Sequence, residues 1–219
     1  MKKIFTTVAI VCALFTSAGA FAQKNAGQDA ATNKGDVLFD IGVGLIGNEY
    51  AYSSNNYNYN NESRYQLPTF SASLQKAFWD DITIGGQLSF NAGGSKYDDY
   101  YQGNGYYRSG VKNSQFNSFI TARGEYHFNR LIGLDPKFDL YAGALVGFRI
   151  TSNTAKYTDG NPNDPNNAGP YTHKSSSVDA GPVIGPFGGF RYYFAKNMGV
   201  YGEVGWAITA IRGGLVWRL

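Results

Sequence analysis

The sequence predicts an all-β protein, an eight-stranded antiparallel up-and-down β-barrel that spans a membrane. The clearest observation is the segment 138–150, in which every second residue from Phe138 to Ile150 is apolar. Side chains alternate between the two faces of a strand, and a tilted strand of about ten residues crosses the hydrocarbon of a bilayer. The same alternation recurs along the chain after an export signal. The connections between the alternating segments are long and short in succession.

Residues 1–22 have the features of a secretory signal peptide. Lys2 and Lys3 precede an apolar stretch, and Ala20 and Ala22 form a small-x-small site for cleavage before Gln23. Cleavage after Ala20 is an alternative. Residues 23–35 are polar and have no period, which predicts a flexible periplasmic leader. The barrel is expected to occupy residues 36–219.

The mature chain is expected to carry almost no net charge and no thiol. The whole sequence has 19 basic and 16 acidic residues, so loss of Lys2 and Lys3 leaves 17 against 16, a net charge of +1. The one cysteine, Cys12, lies in the predicted signal peptide, which excludes disulfides and thiolate metal sites from the mature protein. This charge balance gives no reason to expect a nucleic-acid partner, and no cofactor is predicted.

Eight segments of the mature chain alternate between apolar and polar residues. They lie near 37–45, 68–78, 82–92, 115–128, 138–150, 178–194, 198–207 and 211–219. In chain order, the first seven apolar rows contain Phe39 and Ile41, Phe70 and Leu74, Ile84 and Leu88, Phe116 and Ile120, Leu140 and Val146, Ile184 and Phe190, and Val200 and Val204. Pro182 and Pro186 interrupt the sixth segment, because proline cannot donate to a ladder. An even number of strands suits a closed single-chain barrel.

The connections supply an independent signal. Long connections follow the first, third and fifth strands, at 46–67, 93–114 and 151–177, and short ones follow the second, fourth and sixth, at 79–81, 129–137 and 195–197. This alternation is typical of outer-membrane barrels, which have extracellular loops and periplasmic turns. The last connection, around Ile208, departs from it by being short.

Alternation alone also fits a soluble secreted barrel of the lipocalin kind, with the apolar face inside. Two features favour the membrane. Glycines such as Gly143 and Gly147 lie on the polar face, where they make room inside a narrow barrel. Aromatic residues gather near both ends of the apolar face, as in the girdles of membrane barrels. The absence of a predicted disulfide points the same way.

The C-terminus is similar to the assembly signal of bacterial outer-membrane barrels. Arg212, Gly214, Trp217 and Leu219 match its pattern of a polar residue, a glycine and two hydrophobic residues, with leucine in place of the usual terminal aromatic residue. With its eight strands, the mature chain resembles the OmpA/OmpX-like small barrels or the Bacteroidetes-type outer membrane β-barrel domain proteins. That resemblance implies a bacterial outer-membrane location among lipid and lipopolysaccharide, with the barrel assembly machinery as a partner during biogenesis.

Charged residues on the polar rows are expected inside the barrel. The candidates for an interior salt-bridge network are Asp40, Arg123, Glu125, Asp139, Arg191 and Glu203. Buried charges must be paired or hydrated, so a structural plug is the leading interpretation and a proton or ion path the alternative. Arg191 and Glu203 are expected to pair across the turn 195–197, and Glu125 to lie near Arg123 and Asp139.

The sequence predicts no catalytic residues and no metal site. The chain has two histidines, and a lipid-modifying barrel would need one at the extracellular rim with a serine or carboxylate. His127 falls at the opposite end, and His173 falls in a loop. The stretch 159–164 has alternating oxygen ligands but lacks the glycine at the sixth position and the closing glutamate of a calcium loop.

The long connections are rich in tyrosine and asparagine, a composition typical of adaptable recognition surfaces. The candidates for recognition are Tyr57, Tyr59, Tyr100, Tyr101 and Tyr106. We therefore predict a non-enzymatic barrel with a structural or surface-recognition role toward an unidentified surface ligand or periplasmic partner. A small OmpW-like transport barrel with a weak or lateral pore, and an accessory subunit of an outer-membrane machine, are the alternatives.

Overall fold

The computed structural model describes residues 31–45, 60–102, 106–160 and 171–219. Within these ranges the chain forms nine strands and one short helix. They are β1 (Val37–Gly44), β2 (Asn60–Gln66), β3 (Thr69–Trp79), β4 (Ile82–Gln102), β5 (Tyr106–His127), α1 (Asn129–Ile132), β6 (Phe138–Gly160), β7 (Tyr171–Tyr193), β8 (Met198–Gly205) and β9 (Ile211–Arg218). None of the helices among the described residues is long and apolar enough to cross a bilayer. The predicted signal peptide, 1–22, lies outside the described residues and stays a prediction.

The strands form a closed antiparallel ring with eight positions. From β3 to β9 each strand pairs with the next strand in the chain, while β1 pairs with β3 and closes the ring on β9 through pairs from Leu38↔Arg218 to Gly44↔Arg212. β2 and β3 share one position, because both pair with the same edge of β4. Pro68 separates them, since a residue without an N–H interrupts a ladder. The predicted eight-stranded antiparallel barrel is therefore confirmed.

The strands β4 to β7 are much longer than the sequence pattern indicates. Pairing runs without a long loop to Gln102↔Tyr106 between β4 and β5, and to Asp159↔Tyr171 between β6 and β7. The prediction of loops at 93–114 and 151–177 is therefore wrong for most of their length. We call the strand portions within the predicted loops the upper sheet; they are β2, 93–102, 106–114, 151–160 and 171–177.

The distribution of polarity is the reverse of that in a soluble protein. Large apolar side chains point outward and are exposed, including Leu88 at 60%, Ile120 at 56% and Ile184 at 73%. Polar and charged side chains point inward and are buried. An aromatic exception is Tyr126, which is only 7% exposed and packs edge-on against Phe128. Such an apolar exterior is stable against hydrocarbon and not against water, so the lipid bilayer is the solvent that this fold requires.

One end of the ring carries the short connections 80–81, 128–137 and 194–197, and we call it the turn end. The last part of the predicted flexible leader is folded there. The Gly35 amide donates to the Ala77 carbonyl at 2.8 Å, and Ala31 and Thr32 are fully buried. Residues 31–35 thus differ from the expectation of flexibility, because the Gly35 backbone is hydrogen-bonded to β3 and the Ala31 and Thr32 side chains are buried at the barrel mouth. The preceding residues, 23–30, lie outside the described ranges.

The two prolines of β7 are accommodated at the edge of the ladder. The Trp206 amide donates to the Pro186 carbonyl at 3.3 Å, so even-numbered residues of β7 direct their backbone groups away from β6. β8 pairs with β7 only from Phe187 to Tyr193. Pro182 and Pro186 therefore lie just beyond that pairing, and neither removes a hydrogen bond to β6, which is where proline is tolerated in a sheet.

Candidate functional site

The inward faces of the strands bring together a continuous chain of charged groups. At its turn end, His127 Nδ1 lies 2.8 Å from Asp139 Oδ1, and the Thr32 hydroxyl lies 3.4 Å from the same nitrogen. Arg191 then bridges Asp139 at 3.0 Å and Glu125 at 2.7 Å. The chain begins at the mouth that residues 31–35 close.

Two further arginines continue the chain toward the middle of the barrel. Arg123 contacts Glu125 through one nitrogen, which also lies 2.6 Å from Glu203. Arg212 reaches the same Glu203 oxygen at 2.9 Å and lies 3.8 Å from Asp40. Four carboxylates and three guanidiniums therefore alternate in sign along the interior, with the His127 imidazole at the turn end, and all are at least nine-tenths buried.

Neutral polar side chains make further hydrogen bonds to these charged groups. The Gln75 amide donates to Glu125 at 3.0 Å, and the Thr83 hydroxyl donates to Gln75 at 3.1 Å. The Arg123 guanidinium also donates to Gln87 at 2.6 Å. Because buried charges are costly unless they are paired and hydrogen-bonded, this dense pairing is what permits them inside the barrel.

Aromatic rings cover the guanidiniums that form the chain. Arg191 lies over the Tyr141 ring at 3.9 Å from the centroid, and Arg123 lies over Phe187 at 4.2 Å. A cation over the face of a desolvated ring is attracted by the quadrupole of the ring. The aromatic side chains therefore stabilise the arginines and fill the lumen around them.

An apolar cluster packs against the charged groups and fills the lumen beside them. The members of this cluster are Phe119, Tyr141, Leu145, Val183, Phe187 and Ile208. Ile208 comes from the short connection between β8 and β9, which folds inward so that this side chain is only 4% exposed. A cavity of about 20 Å³ remains beside it, lined among others by Ser71, Gln87 and Arg212. That volume holds about one water molecule, so side chains fill most of the lumen beside Ile208.

The structure places all six residues of the predicted interior network in this chain. The expected pairing of Arg191 with Glu203 is wrong. Arg191 lies opposite Tyr201 in the register, and its guanidinium turns toward β5 and β6, while Glu203 is bound by Arg123 and Arg212. Sequence reasoning did not assign His127 to the network, although its odd position on β5 puts it on the same face as Arg123 and Glu125.

The residues of the C-terminal pattern lie in different environments. Arg212 belongs to the interior chain, and Gly214 leaves no room for a Cβ against the Ile41 carbonyl. Trp217 packs beside Phe39 with ring centroids 5.7 Å apart. Leu219 is 72% exposed at the turn end. Their role as an assembly signal stays a prediction.

The tyrosines that the sequence singles out fall partly on strands. Tyr100 and Tyr101 lie on β4 and Tyr106 lies on β5, next to the 103–105 connection, rather than in an irregular loop. Tyr57 and Tyr59 lie outside the described residues. The two histidines are separated, because His127 is fully buried in the interior chain and His173 stacks on Tyr157 in the upper sheet at 5.3 Å.

No protein-family model matches this chain, and no curated protein matches its sequence. Solved structures with a similar fold exist. The N-terminal β-barrel domain of OprF from Pseudomonas aeruginosa is similar at 11% identity and a TM-score of 0.38, over 86% of this chain and 100% of that one. Ail, the attachment invasion locus protein of Yersinia pestis, is similar at 8% identity and a TM-score of 0.42, over 85% and 99%.

The translocator domain of the autotransporter NalP from Neisseria meningitidis is similar at 9% identity and a TM-score of 0.35, over 98% of both chains. At these identities and scores the likenesses carry no information about activity or ligand. The assignment of the fold rests on the closed strand pairing, and that of the membrane as solvent rests on the apolar exterior.

Proposed function

We propose that this protein is a non-enzymatic outer-membrane barrel that presents the upper sheet as a recognition surface. The observation that carries the proposal is the register of β4 to β7, which stay paired far beyond the apolar belt. A hydrogen-bonded sheet holds its side chains in place before a partner arrives, so less conformational entropy is lost on binding than with irregular loops. The candidate tyrosines Tyr100, Tyr101 and Tyr106 lie on its highest strand ends.

The proposed location depends on three features together. The predicted signal peptide supplies export, the C-terminal pattern resembles an outer-membrane assembly signal, and the exterior is apolar. A lipid and lipopolysaccharide environment and transient binding by the barrel assembly machinery belong to the same proposal. Intact-mass measurement of the purified protein should give a chain that begins at Gln23. A chain that retains residues 1–22 would contradict the proposed export and cleavage.

The interior favours a structural plug over transport. Charged groups are paired from Asp139 to Asp40, and the apolar cluster around Phe187 packs against them. We expect no large stable currents from the wild-type protein in planar bilayers. The double variant Tyr141→Ala/Phe187→Ala removes two rings of the cluster and should raise conductance. Large currents from the wild type would support the transport alternative instead.

The recognition role is tested by shortening the upper sheet without disturbing its register. Residues 100–108 are replaced by Asn-Gly, which forms a tight hairpin turn next to the Asp99↔Ser109 pair. Barrel stability resides in the closed ladder below, so the heat-modifiable gel mobility of a folded barrel should persist. Binding of cells that express the protein to host cells, glycans or partner proteins should decrease.

A second variant separates tyrosine chemistry from sheet length. Tyr100→Ser/Tyr101→Ser/Tyr106→Ser keeps the strands and removes the rings. If tyrosines form the contact surface, this variant should lose binding as the shortened barrel does. If both variants bind like the wild type while remaining folded, the upper sheet is passive and the transport or accessory alternative gains support.

A further inference from the structure

Four lysines form a single row across the upper sheet. Lys96 on β4 lies directly opposite Lys112 on β5, Lys112 lies opposite Lys156 on β6, and Lys156 lies opposite Lys174 on β7. Adjacent strands are about 4.8 Å apart, so three spacings give a row about 14 Å long. The sequence positions alone do not reveal this row, because it depends on the register of three hairpins.

The row lies on the lipid-facing side of the barrel. All four lysines are exposed and occupy even-numbered positions, in phase with the outward residues Phe90, Phe116, Ile150 and Val178 of the same strands. Along its strand, each lysine lies four or six positions beyond the last large outward apolar residue, on the side away from the turn end. At about 3.4 Å per residue and a tilt near 45°, this separation is about 10–14 Å along the membrane normal.

Lysine side chains reach back toward the bilayer from such a height. The four-carbon stem packs along apolar surface while the ammonium group stays in the polar layer, which brings the charges down to the level of lipid headgroups. On β5 to β7 the outward positions between the belt and the row are small and uncharged, with Ser114, Thr154 and Ser176 among them. On the β4 side, the ring of Tyr65 from β2 lies beside Gly94. No large side chain of β5, β6 or β7 therefore separates the ammonium groups of Lys112, Lys156 and Lys174 from the membrane surface.

The central pair of the row, Lys112 and Lys156, has an electrostatic cost in the isolated protein. Like charges directly opposite on adjacent strands repel each other, because their Cβ atoms are only about 5 Å apart. An array of anions with similar spacing would remove that repulsion and add attraction. Phosphate groups carried by lipids supply such an array at the height of the row.

We propose that the row Lys96–Lys112–Lys156–Lys174 binds the phosphorylated headgroups of lipids that surround the barrel. This inference rests on the proposed outer-membrane location and names a lipid-binding site on its outward surface. The occupant is an anionic glycolipid or phospholipid headgroup rather than a soluble polyanion, because the row faces the lipid side and its stems reach toward the belt.

The test uses the full mature barrel in zwitterionic micelles, with diphosphoryl lipid A and its dephosphorylated analogue as probes in native mass spectrometry. The variant Lys112→Gln/Lys156→Gln removes the two central charges, and Lys76→Gln/Lys196→Gln removes two exposed lysines from the turn end as a matched control. Each lysine near an anionic membrane surface contributes enough to expect a loss of at least about tenfold for the central pair. The control should stay within about twofold of the wild type.

Unfolding in urea gives a second readout, because the difference in stability between the wild type and the central double variant should change sign with the lipid. In neutral micelles the central double variant should match or exceed the urea midpoint of the wild type, because repulsion is relieved. In micelles that contain diphosphoryl lipid A the wild type should be the more stable. Heat-modifiable mobility, measured separately, reports whether each barrel is folded, so a failure of the membrane fold is distinguished from a failure of lipid binding.

Three results would overturn the proposal. One is equal retention of diphosphoryl lipid A by the wild type and by Lys112→Gln/Lys156→Gln. Another is equal retention of the phosphorylated and dephosphorylated lipids by the wild type. The third is binding of the sulfated polysaccharide heparin without binding of lipid A, which would assign the row to a soluble polyanion.

Discussion

The guanidinium of Arg123 on β5 meets the carboxylate of Glu203 on β8 at 2.6 Å. These strands are not neighbours, because β6 and β7 lie between them in the sheet. The ion pair therefore crosses the lumen and joins two sides of the ring that backbone hydrogen bonds do not connect directly. Arg212 on β9 and Ser71 on β3 make a similar cross-link at 3.2 Å. Side chains thus connect different sides of the barrel through its interior.

Removal of Arg123 should destabilise the barrel strongly. The variant Arg123→Met keeps an apolar stem but leaves Glu125 and Glu203 each short of one cationic partner in the buried interior. Breaking a buried ion pair from one side costs about 3–5 kcal/mol. Urea unfolding of the barrel in micelles measures the change. Arg149→Met, at an exposed position of the neighbouring strand β6, should change the free energy of unfolding by less than about 1 kcal/mol.

A double-mutant cycle isolates the pair itself. Glu203→Gln combined with Arg123→Met removes both charges, so the double variant should be less destabilised than the sum of the single variants. The coupling free energy of contacting residues lies in the range of about 0.5–3 kcal/mol. Strict additivity would mean that Arg123 acts through Glu125 and Gln87 rather than through Glu203.

Adjacent glycines on β7 should respond very differently to a methyl group. A Cβ on Gly189 would lie 2.6 Å from the Tyr141 hydroxyl and 2.5 Å from the Gly202 carbonyl, and the latter is backbone that cannot move aside. A Cβ on Gly188, which points outward, would meet nothing closer than 3.6 Å. We expect Gly189→Ala to lower the free energy of unfolding by about 1–3 kcal/mol, as overpacking does. Gly188→Ala should be nearly neutral in the same urea titration.

The membrane-spanning part of the fold could be predicted because one physical rule governs it. A strand between lipid and a packed interior must alternate, so residues such as Leu140 and Asp139 reveal both the strand and its phase. The upper sheet could not be predicted in this way. Residues 151–160 are polar on both faces, because water lies beyond the bilayer, and a strand without alternation resembles a loop.

The sequence predicts which charged residues lie inside the barrel but not which of them form ion pairs. The alternation of side chains along a strand assigns Arg191 and Glu203 to the lumen. The choice of partner for each charge depends on strand twist and on side chains that cross between distant strands. Arg191 on β7 reaches past β6 to Glu125 on β5, on the side of the strand away from Tyr201 and β8. Long side chains across a lumen have no sequence spacing that identifies their partners.

Because neighbouring residues of a strand face lipid and lumen in turn, substitutions at Ala144 and Gly143 should destabilise the barrel for different reasons. Ala144 points outward between Gly124 and Pro186 in the register, near the middle of the apolar belt. Ala144→Arg should cost about 2–4 kcal/mol, the penalty for arginine at the midplane of a barrel exterior. The cost should fall when the bilayer is made thinner, because the guanidinium then reaches the interface.

Gly143 is the matched inward position. A Cβ there would lie 2.9 Å from the Phe187 ring and would overlap the Gly124 carbonyl, so even Gly143→Ala should destabilise independently of bilayer thickness. Single cysteines test the phase directly, since the mature chain is predicted to lack other thiols. A lipid-soluble maleimide should label Ala144→Cys and spare Gly143→Cys. The reverse labelling pattern would place the apolar row inside.

Asp81, in the turn between β3 and β4, combines an unusual backbone with an unfavourable charge. Its φ of 64° lies in the left-handed region, which aspartate and asparagine tolerate better than other non-glycine residues. The residue is 1% exposed, and Arg130 Nε lies 3.2 Å from its carboxylate. Burial raises the pKa of the Asp81 carboxyl above its ordinary value, and attraction to Arg130 offsets only part of this shift.

Asp81→Asn should therefore stabilise the barrel at neutral pH or leave its stability unchanged. Because the folded pKa of Asp81 is raised, its contribution is most favourable below the unfolded pKa and is lost as pH rises through the folded pKa. Asparagine keeps the left-handed turn but cannot ionise, so the variant should gain on the wild type as the pH rises from about 3 to 7. Asp81→Ala should be less stable than Asp81→Asn at every pH, by about 1 kcal/mol, because alanine strains at this φ. Urea midpoints across this pH range measure both differences, and a wild type that gains on Asp81→Asn with rising pH would show that Arg130 outweighs burial.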